Sequence, residues 1–294
     1  MAEASIPVDL FNPGQVFACL GFAEAADQLL GEAAACFEWP KRDAVRFHLR
    51  ASGSENPFER VLRFLSEAEV CALAPHRSSN VRAWNRSWGS TPEELSEGAP
   101  YPSADPASPA TLVAVLRSGE LAIAIDYWAD TVRDNVKFWG GAGGYPGAAL
   151  ARDALELVRR SAAGVACDPF ALAVPQSSSF RLDWRRDYIP IDVGFSLNEH
   201  GGSIQTIGYP LVELLGAIGL SHARPRRLRN KMEYAYGVVG STRSGVWLPL
   251  CFLRAGLGGS AMPFEMRRFR MYLSWPGKEG QACAISHVVE GADE

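Results

Sequence analysis

The sequence predicts an α+β fold, with mixed and antiparallel sheets, packed helices and two lobes, on three observations. Apolar and polar residues alternate in Val45-Arg46-Phe47-His48-Leu49-Arg50 and again from Leu121 to Tyr127, the period of two expected of half-buried strands. Two segments opened by Asn-Pro, at Asn12-Pro13 and Asn56-Pro57, carry apolar residues at helical spacing. Residues 85–110 hold five prolines among Ser, Glu and Gly with almost no apolar period, which reads as a long mobile loop. The expected organisation is an N-terminal α+β lobe over 1–84, that loop over 85–110, and a C-terminal α+β lobe over 111–294 carrying a basic surface. One continuous domain is the alternative.

Taken in order, a strand over Ile6 to Phe11 is turned by Asn12-Pro13-Gly14 into a helix reaching Leu30 and stopped by Gly31. On that helix Val16, Leu20, Ala23 and Leu30 share one face while Glu24, Asp27 and Gln28 share another, so it is expected to be amphipathic. The second Asn-Pro helix contains Val61, Leu62, Phe64, Leu65 and Ala68. Beyond the loop and the Leu121 strand, a glycine-rich turn from Gly140 to Gly147 leads into a helix through Leu150, Ala154, Leu157 and Val158. Strands are expected at Phe180–Arg185, Ile191–Leu197 and Val246–Phe252, with a short helix beginning at Pro210.

That last helix contains Gly216-Ala217-Ile218-Gly219-Leu220, which echoes Ala18-Cys19-Leu20-Gly21-Phe22 in the first. A glycine inside a helix costs about 1 kcal/mol relative to alanine, so it marks a close approach by another backbone. The echo also suggests a weak internal duplication.

With 294 residues, 47% of them hydrophobic and 21% charged, the chain can bury a core and is neither disordered nor fibrous in composition. No apolar run approaches the roughly 18 to 20 residues of a membrane helix, and the start, Met1-Ala2-Glu3-Ala4-Ser5, lacks a signal-peptide charge pattern, so a cytoplasmic location is expected. Six cysteines are scattered without a C-x-x-C pair, which suggests buried reduced thiols and neither a zinc site nor a disulfide framework. No cofactor or metal is expected.

The net charge of −4 conceals a segregation. Residues 1–110 carry nine Lys/Arg against 15 Asp/Glu, whereas residues 224–278 carry 11 Lys/Arg against two acids. A mildly acidic chain with one basic region binds polyanions locally, by neutralising phosphates there. The alternative is a solvated basic face with no ligand.

Three clusters are candidates for that binding. In Arg224-Pro225-Arg226-Arg227-Leu228-Arg229-Asn230-Lys231 five cations fall within eight residues, and arginine's planar fork grips phosphate oxygens while its face stacks on bases. In Met266-Arg267-Arg268-Phe269-Arg270-Met271-Tyr272-Leu273-Ser274-Trp275 strict alternation implies a strand. Phe269, Met271, Leu273 and Trp275 would face the core, leaving Arg268, Arg270 and Tyr272 outward, with Arg267 in the same cluster. The third group is Arg181, Arg185 and Arg186 with Trp184, diluted by Asp183 and Asp187.

Catalytic constellations are absent. There is no G-x-S-x-G elbow, no H-E-x-x-H, no Walker A loop and no G-x-G-x-x-G, and the five histidines are isolated. The enzymatic alternative, a nuclease or RNA-processing activity, would need His200 or His222 beside an acid. A purely architectural, protein-binding subunit is the remaining alternative.

Several segments together resemble one family. They are Asn12-Pro13-Gly14-Gln15-Val16-Phe17-Ala18-Cys19-Leu20-Gly21, Lys137-Phe138-Trp139-Gly140-Gly141, Ile191-Asp192-Val193-Gly194-Phe195-Ser196-Leu197-Asn198-Glu199, and Tyr209-Pro210-Leu211-Val212-Glu213-Leu214-Leu215-Gly216-Ala217-Ile218-Gly219-Leu220. In order and spacing these are similar to the small protein of type I-U (I-G) CRISPR loci, the Csb-three family, a reduced Cas-eight-like subunit of the Cascade interference complex. This chain has His200 where the family pattern has Gln, and Gly140 where it has Ala.

The resemblance implies a non-catalytic subunit whose partners are CRISPR RNA, target DNA beside its protospacer-adjacent motif (PAM), the backbone and Cas-five/six-type subunits of Cascade, and a recruited helicase-nuclease. PAM recognition and R-loop stabilisation are its implied tasks. Asn12, Gln15 and Lys137 stand in the motifs that carry the resemblance and join the arginines as expected contacts.

Overall fold

In the computed structural model the described residues are 1–103, 106–129, 145–161, 165–187, 206–243, 245–275 and 283–291. Along them run β1 (Ala2–Pro7), α1 (Pro13–Leu30), β2 (Ala34–Lys41), β3 (Ala44–Ala51), α2 (Pro57–Glu67), β4 (Glu69–Ala74), α3 (Ser79–Ala83), β5 (Glu93–Glu94), β6 (Val113–Ser118) and β7 (Leu121–Ile125). They continue with α4 (Gly147–Ser161), β8 (Val174–Pro175), β9 (Ile207–Gly208), α5 (Pro210–His222), β10 (Arg226–Arg227), β11 (Glu233–Ser241), β12 (Leu248–Pro249), α6 (Leu250–Leu257), β13 (Met266–Ser274) and β14 (Ala284–Glu290). The fold is α+β, with mixed and mostly antiparallel sheets under packed helices.

The large sheet is ordered β1-β3-β2-β11-β13-β14, with β10 on β11 and β12 on β2. Its two halves join where β11 runs parallel to β2, through Gly240 opposite Phe37 and Ser241 opposite Glu38. Gly240 is required there, because any side chain would run into the Phe37 carbonyl and the Trp39 ring. A second sheet is ordered β5-β4-β6-β7, and β8 pairs with β9 alone.

Helix α1 starts as expected, with Pro13 in the first turn, and ends at Gly31, whose φ of 81° suits glycine. It is not amphipathic. Every residue from Pro13 to Ala26 is buried, including Gln15 and Glu24, because α1 lies against α5 and also meets α2, α6, β3 and β7. Glu24 tolerates burial because Arg254 holds both its oxygens at 2.6 Å.

The echoed glycines meet each other's helices. A side chain at Gly21 would collide with the carbonyl of Leu215, and one at Gly219 with that of Phe17. The expected close approach is therefore between these two helices themselves. Helix α2 is capped as its sequence predicts, Asn56 Oδ1 accepting from the Phe58 amide at 3.0 Å.

Several expected elements are revised. The first strand is Ala2–Pro7, in register from Ala2 opposite Ala51 to Pro7 opposite Arg46, and not Ile6–Phe11; Asp9 Oδ1 takes the Phe11 amide into a turn instead. Phe180–Arg185 forms no strand. Its Phe180 and Leu182 are buried, but the amides of Leu182 and Asp183 donate to the Glu213 carboxylate and not to a neighbouring strand. Val246–Phe252 supplies only Leu248–Pro249 as strand before Pro249 caps α6. Ile191–Leu197, His200 and Gly140–Gly144 lie outside the described residues.

The segment 85–110 crosses one sheet and does not divide the core. β4 pairs with β6 on its far side, β5 inside it pairs with β4, and the Tyr101 hydroxyl donates to Leu73 O at 3.0 Å while accepting from the Val113 amide at 3.1 Å. One hydrophobic cluster runs from Ile6 to Ile285. Among the described residues no helix is long and apolar enough to cross a membrane. The cysteines are free, but Cys167 and Cys251 are exposed where burial was expected.

Candidate nucleic-acid interface

The first basic cluster folds into a hairpin against the second. Arg226 pairs with Ala235 and Arg227 with Tyr234 in the β10–β11 ladder, and the Leu228 amide extends it to Glu233 O at 2.9 Å. Asn230 shapes the turn: its Oδ1 accepts from the Met232 amide at 3.0 Å and its Nδ2 donates to Glu233 Oε1 at 3.2 Å. Arg226, Arg227, Arg229 and Lys231 are exposed on this hairpin, and the Lys231 ammonium lies 5.5 Å above the Trp275 ring. Arg224 differs, because its Nε and Nη1 are buried and its charge acts on the Tyr127 phenol.

Strand β13 alternates as the sequence predicts. Phe269, Met271 and Leu273 are buried, and Arg268, Arg270 and Tyr272 are half-buried on the other face. Trp275, expected in the core, is half-buried beneath Lys231. β13 is an interior strand flanked by β11 and β14.

Residues directly opposite one another in an antiparallel ladder point to the same side. Ala235 stands opposite both Arg226 and Arg270, so these two arginines occupy one row of one face, two strands apart. In the next row Tyr272 lies between Glu233 and His287, and its ring stacks on the imidazole at 4.2 Å and 6°. The structure thus brings Arg226 of the first cluster and Arg268, Arg270 and Tyr272 of the second onto a single sheet face, with Arg268 opposite Gly237 at its end under α6; Arg227, in the row of Tyr234 and Met271, is exposed at the β10 edge on the other face.

Other expected contacts point elsewhere. Arg267 faces the core side; its side chain is 10% exposed, its Nε and Nη2 bind Glu290 at 2.6 and 3.0 Å, and its Nη1 donates to Arg42 O at 2.8 Å. That pairing, chiefly the hydrogen bonds from Arg267, holds the Glu290 carboxyl below its usual range. Arg185 is committed to buried Asp183 and to Phe170 O, with its guanidinium 3.8 Å over the Tyr209 ring. Arg186 donates to Ser179 Oγ and to the carbonyls of Gln176 and Ser177. Arg181 adopts φ 63° at the start of the same turn.

Asn12 is fully buried with its Nδ2 on Asp183 Oδ1 at 2.9 Å, and buried Gln15 accepts the Asp9 amide at 2.8 Å. These two fix the turn before α1 and are not surface contacts. Lys137 lies outside the described residues.

The histidine alternative meets a specific geometry. His222 Nδ1 stands 3.4 Å from Glu24 Oε2, and burial lowers the His222 pKa more than Glu24 raises it. The acid is already held through both oxygens by Arg254. Among the described residues no cluster of three His, Cys, Asp or Glu is placed to hold a metal ion.

No family model, no curated protein and no solved structure matches the chain.

Two of the concavities among the described residues have no counterpart in the sequence pattern. A cleft of about 960 Å³ has an apolar floor including Val8, Leu10 and Phe170 and a rim of both signs, with Arg42 and Arg46 against Asp43 and Asp168. A smaller pocket of about 240 Å³ lies between Phe11, Trp184 and β14. Neither has a local signature, because each is assembled from segments far apart in the chain.

Proposed function

We propose that the chain is a non-catalytic, nucleic-acid-binding subunit of a type I CRISPR Cascade interference complex. It binds CRISPR RNA or target DNA on the face made by β10, β11 and β13, and contacts backbone subunits elsewhere. PAM recognition and stabilisation of the opened DNA are the tasks this reading assigns to it, with cleavage left to a recruited helicase-nuclease. The supporting observation is the shared register row of Arg226 and Arg270, which unites two basic segments some forty residues apart in sequence. Arg226, Arg227, Arg229 and Lys231 grip phosphates along the hairpin, and Arg268, Arg270 and Tyr272 continue the surface.

The chain co-expressed with the other proteins of its operon tests this directly. Charge reversal of Arg226 and Arg227 to Glu weakens nucleic-acid binding by the assembled complex and flattens its salt dependence. Unchanged affinity and unchanged salt slope overturn the assignment, and assembly with normal binding leaves an architectural subunit in its place.

A further inference from the structure

Four large apolar side chains are exposed among the described residues: Met1, Phe11, Trp184 and Val289. Two of them meet at β14, and Val289 stands in the same strand on its other face, opposite Arg270. Phe11 and Trp184, 37% and 47% exposed, line the pocket of about 240 Å³ with Ile285, Ser286, His287 and Val288.

The Phe11 ring is held in place, and the backbone that carries Trp184 is fixed, without either ring being covered. Phe11 stands edge-on to Phe269, with centroids 5.3 Å apart. Trp184 is presented by a turn in which buried Asp183 accepts the Arg185 amide through its side chain, at 2.9 Å, and the Arg186 amide through its carbonyl, at 3.3 Å. A tryptophan this exposed on a fixed turn contributes little to the core and is available to a ligand.

The lining holds two aromatic faces, a hydroxyl, an imidazole and no carboxylate. It also adjoins the basic face, because His287 lines the pocket on one side and stacks on Tyr272 on the other. A polyanion lying on Arg226, Arg270 and Tyr272 thus reaches an aromatic slot by way of His287, on the side of Tyr272 away from Glu233.

We propose that this pocket receives an unpaired nucleobase of the bound strand, stacked on Trp184, with His287 and the oxygen of the Ser286 hydroxyl, whose proton goes to Tyr272 O at 3.0 Å, contacting its edge. The inference rests on the nucleic-acid-binding reading and sharpens it: a base already paired in a duplex cannot enter, so the chain prefers single strands.

Fluorescence anisotropy with fluorescein-labelled oligothymidine and a duplex of equal length, on the full chain and on its co-expressed assembly, tests this. Trp184→Ala is expected to weaken oligothymidine binding about tenfold, as loss of one stacked base does, and duplex binding less than about twofold. Trp184→Phe restores most of the loss, and Ser286→Trp, which fills the pocket from β14, reproduces it. If Trp184→Ala and Ser286→Trp leave oligothymidine binding unchanged while Arg226→Glu weakens it, the pocket assignment falls and the basic face stands. An equal loss for both probes, or a loss of partner proteins with normal oligothymidine binding, also overturns the base pocket. Binding of neither probe by the wild-type chain or assembly overturns both proposals.

Discussion

Gly21 and Leu215 meet backbone to backbone, and Gly219 meets Phe17 in the same way, so each glycine accommodates the carbonyl of the facing helix. Gly21→Ala or Gly219→Ala forces α1 and α5 apart and is expected to cost about 2–3 kcal/mol. Urea denaturation measures this as a lower midpoint. The double variant should lose less than the sum, because one separation relieves both clashes.

Buried Glu213 gives stability a pH dependence of known sign. Burial pushes its carboxyl up to about 7, further than Arg186 and the amides of Asp183 and Leu182 draw it back. Between the ordinary value near 4.5 and about 7 the unfolded chain releases this proton while the folded chain keeps it. This contribution therefore falls as pH rises through that window, on the order of 3 kcal/mol in all. Glu213→Gln still accepts the amides of Leu182 and Asp183 and should flatten that region of the curve. Denaturation midpoints from about pH 4 to 8, wild type against variant, provide the check.

Adjacent arginines on β13 should separate stability from binding. Arg267→Ala strands Glu290, which keeps only the exposed Arg42, and is expected to destabilise by about 2 kcal/mol. Arg268→Glu lies on the basic face and should weaken nucleic-acid binding; half-buried under the end of α6, it is expected to cost about 1 kcal/mol, less than Arg267→Ala. Thermal melts and anisotropy on the same two variants would show both effects; equal behaviour in both assays refutes the division of faces.

Asn56→Ala removes the side-chain acceptor from the first turn of α2 and should cost about 1 kcal/mol, with Asn56→Ser recovering most of it. Chemical denaturation of the two variants is sufficient to see the difference.

What could be read from sequence was whatever neighbouring residues decide. The alternation from Met266 to Trp275 was legible because one face of β13 packs on the core and the other does not. The Asn-Pro starts of α1 and α2 were legible because proline fixes the first turn by itself.

Misreadings came where a distant partner changes what a residue can tolerate. Glu24 marked a polar face until Arg254, 230 residues away, allowed it inside. Phe180 and Leu182 alternate like a strand, yet a side chain from α5 takes the amides a neighbouring strand would need. Leu250 to Phe252 has a strand's composition, but Pro249, which has no amide to give a ladder, ends the strand and stands at the N-cap of α6. The binding candidates divided in the same way: composition found the arginines, but only register puts Arg226 beside Arg270 and turns Arg267 inward.

The parallel seam between β2 and β11 has a kinetic consequence. Phe37 and Gly240 lie about two hundred residues apart, so this contact closes one of the longest loops in the chain and is entropically among the last to form. Until it closes, Phe37–Glu38 of β2 and Gly240–Ser241 of β11 lack their ladder partners beside apolar faces. Slow ribosomal synthesis or chaperone capture of the N-terminal half would then govern the yield of the binding face, whose strands all emerge after residue 225.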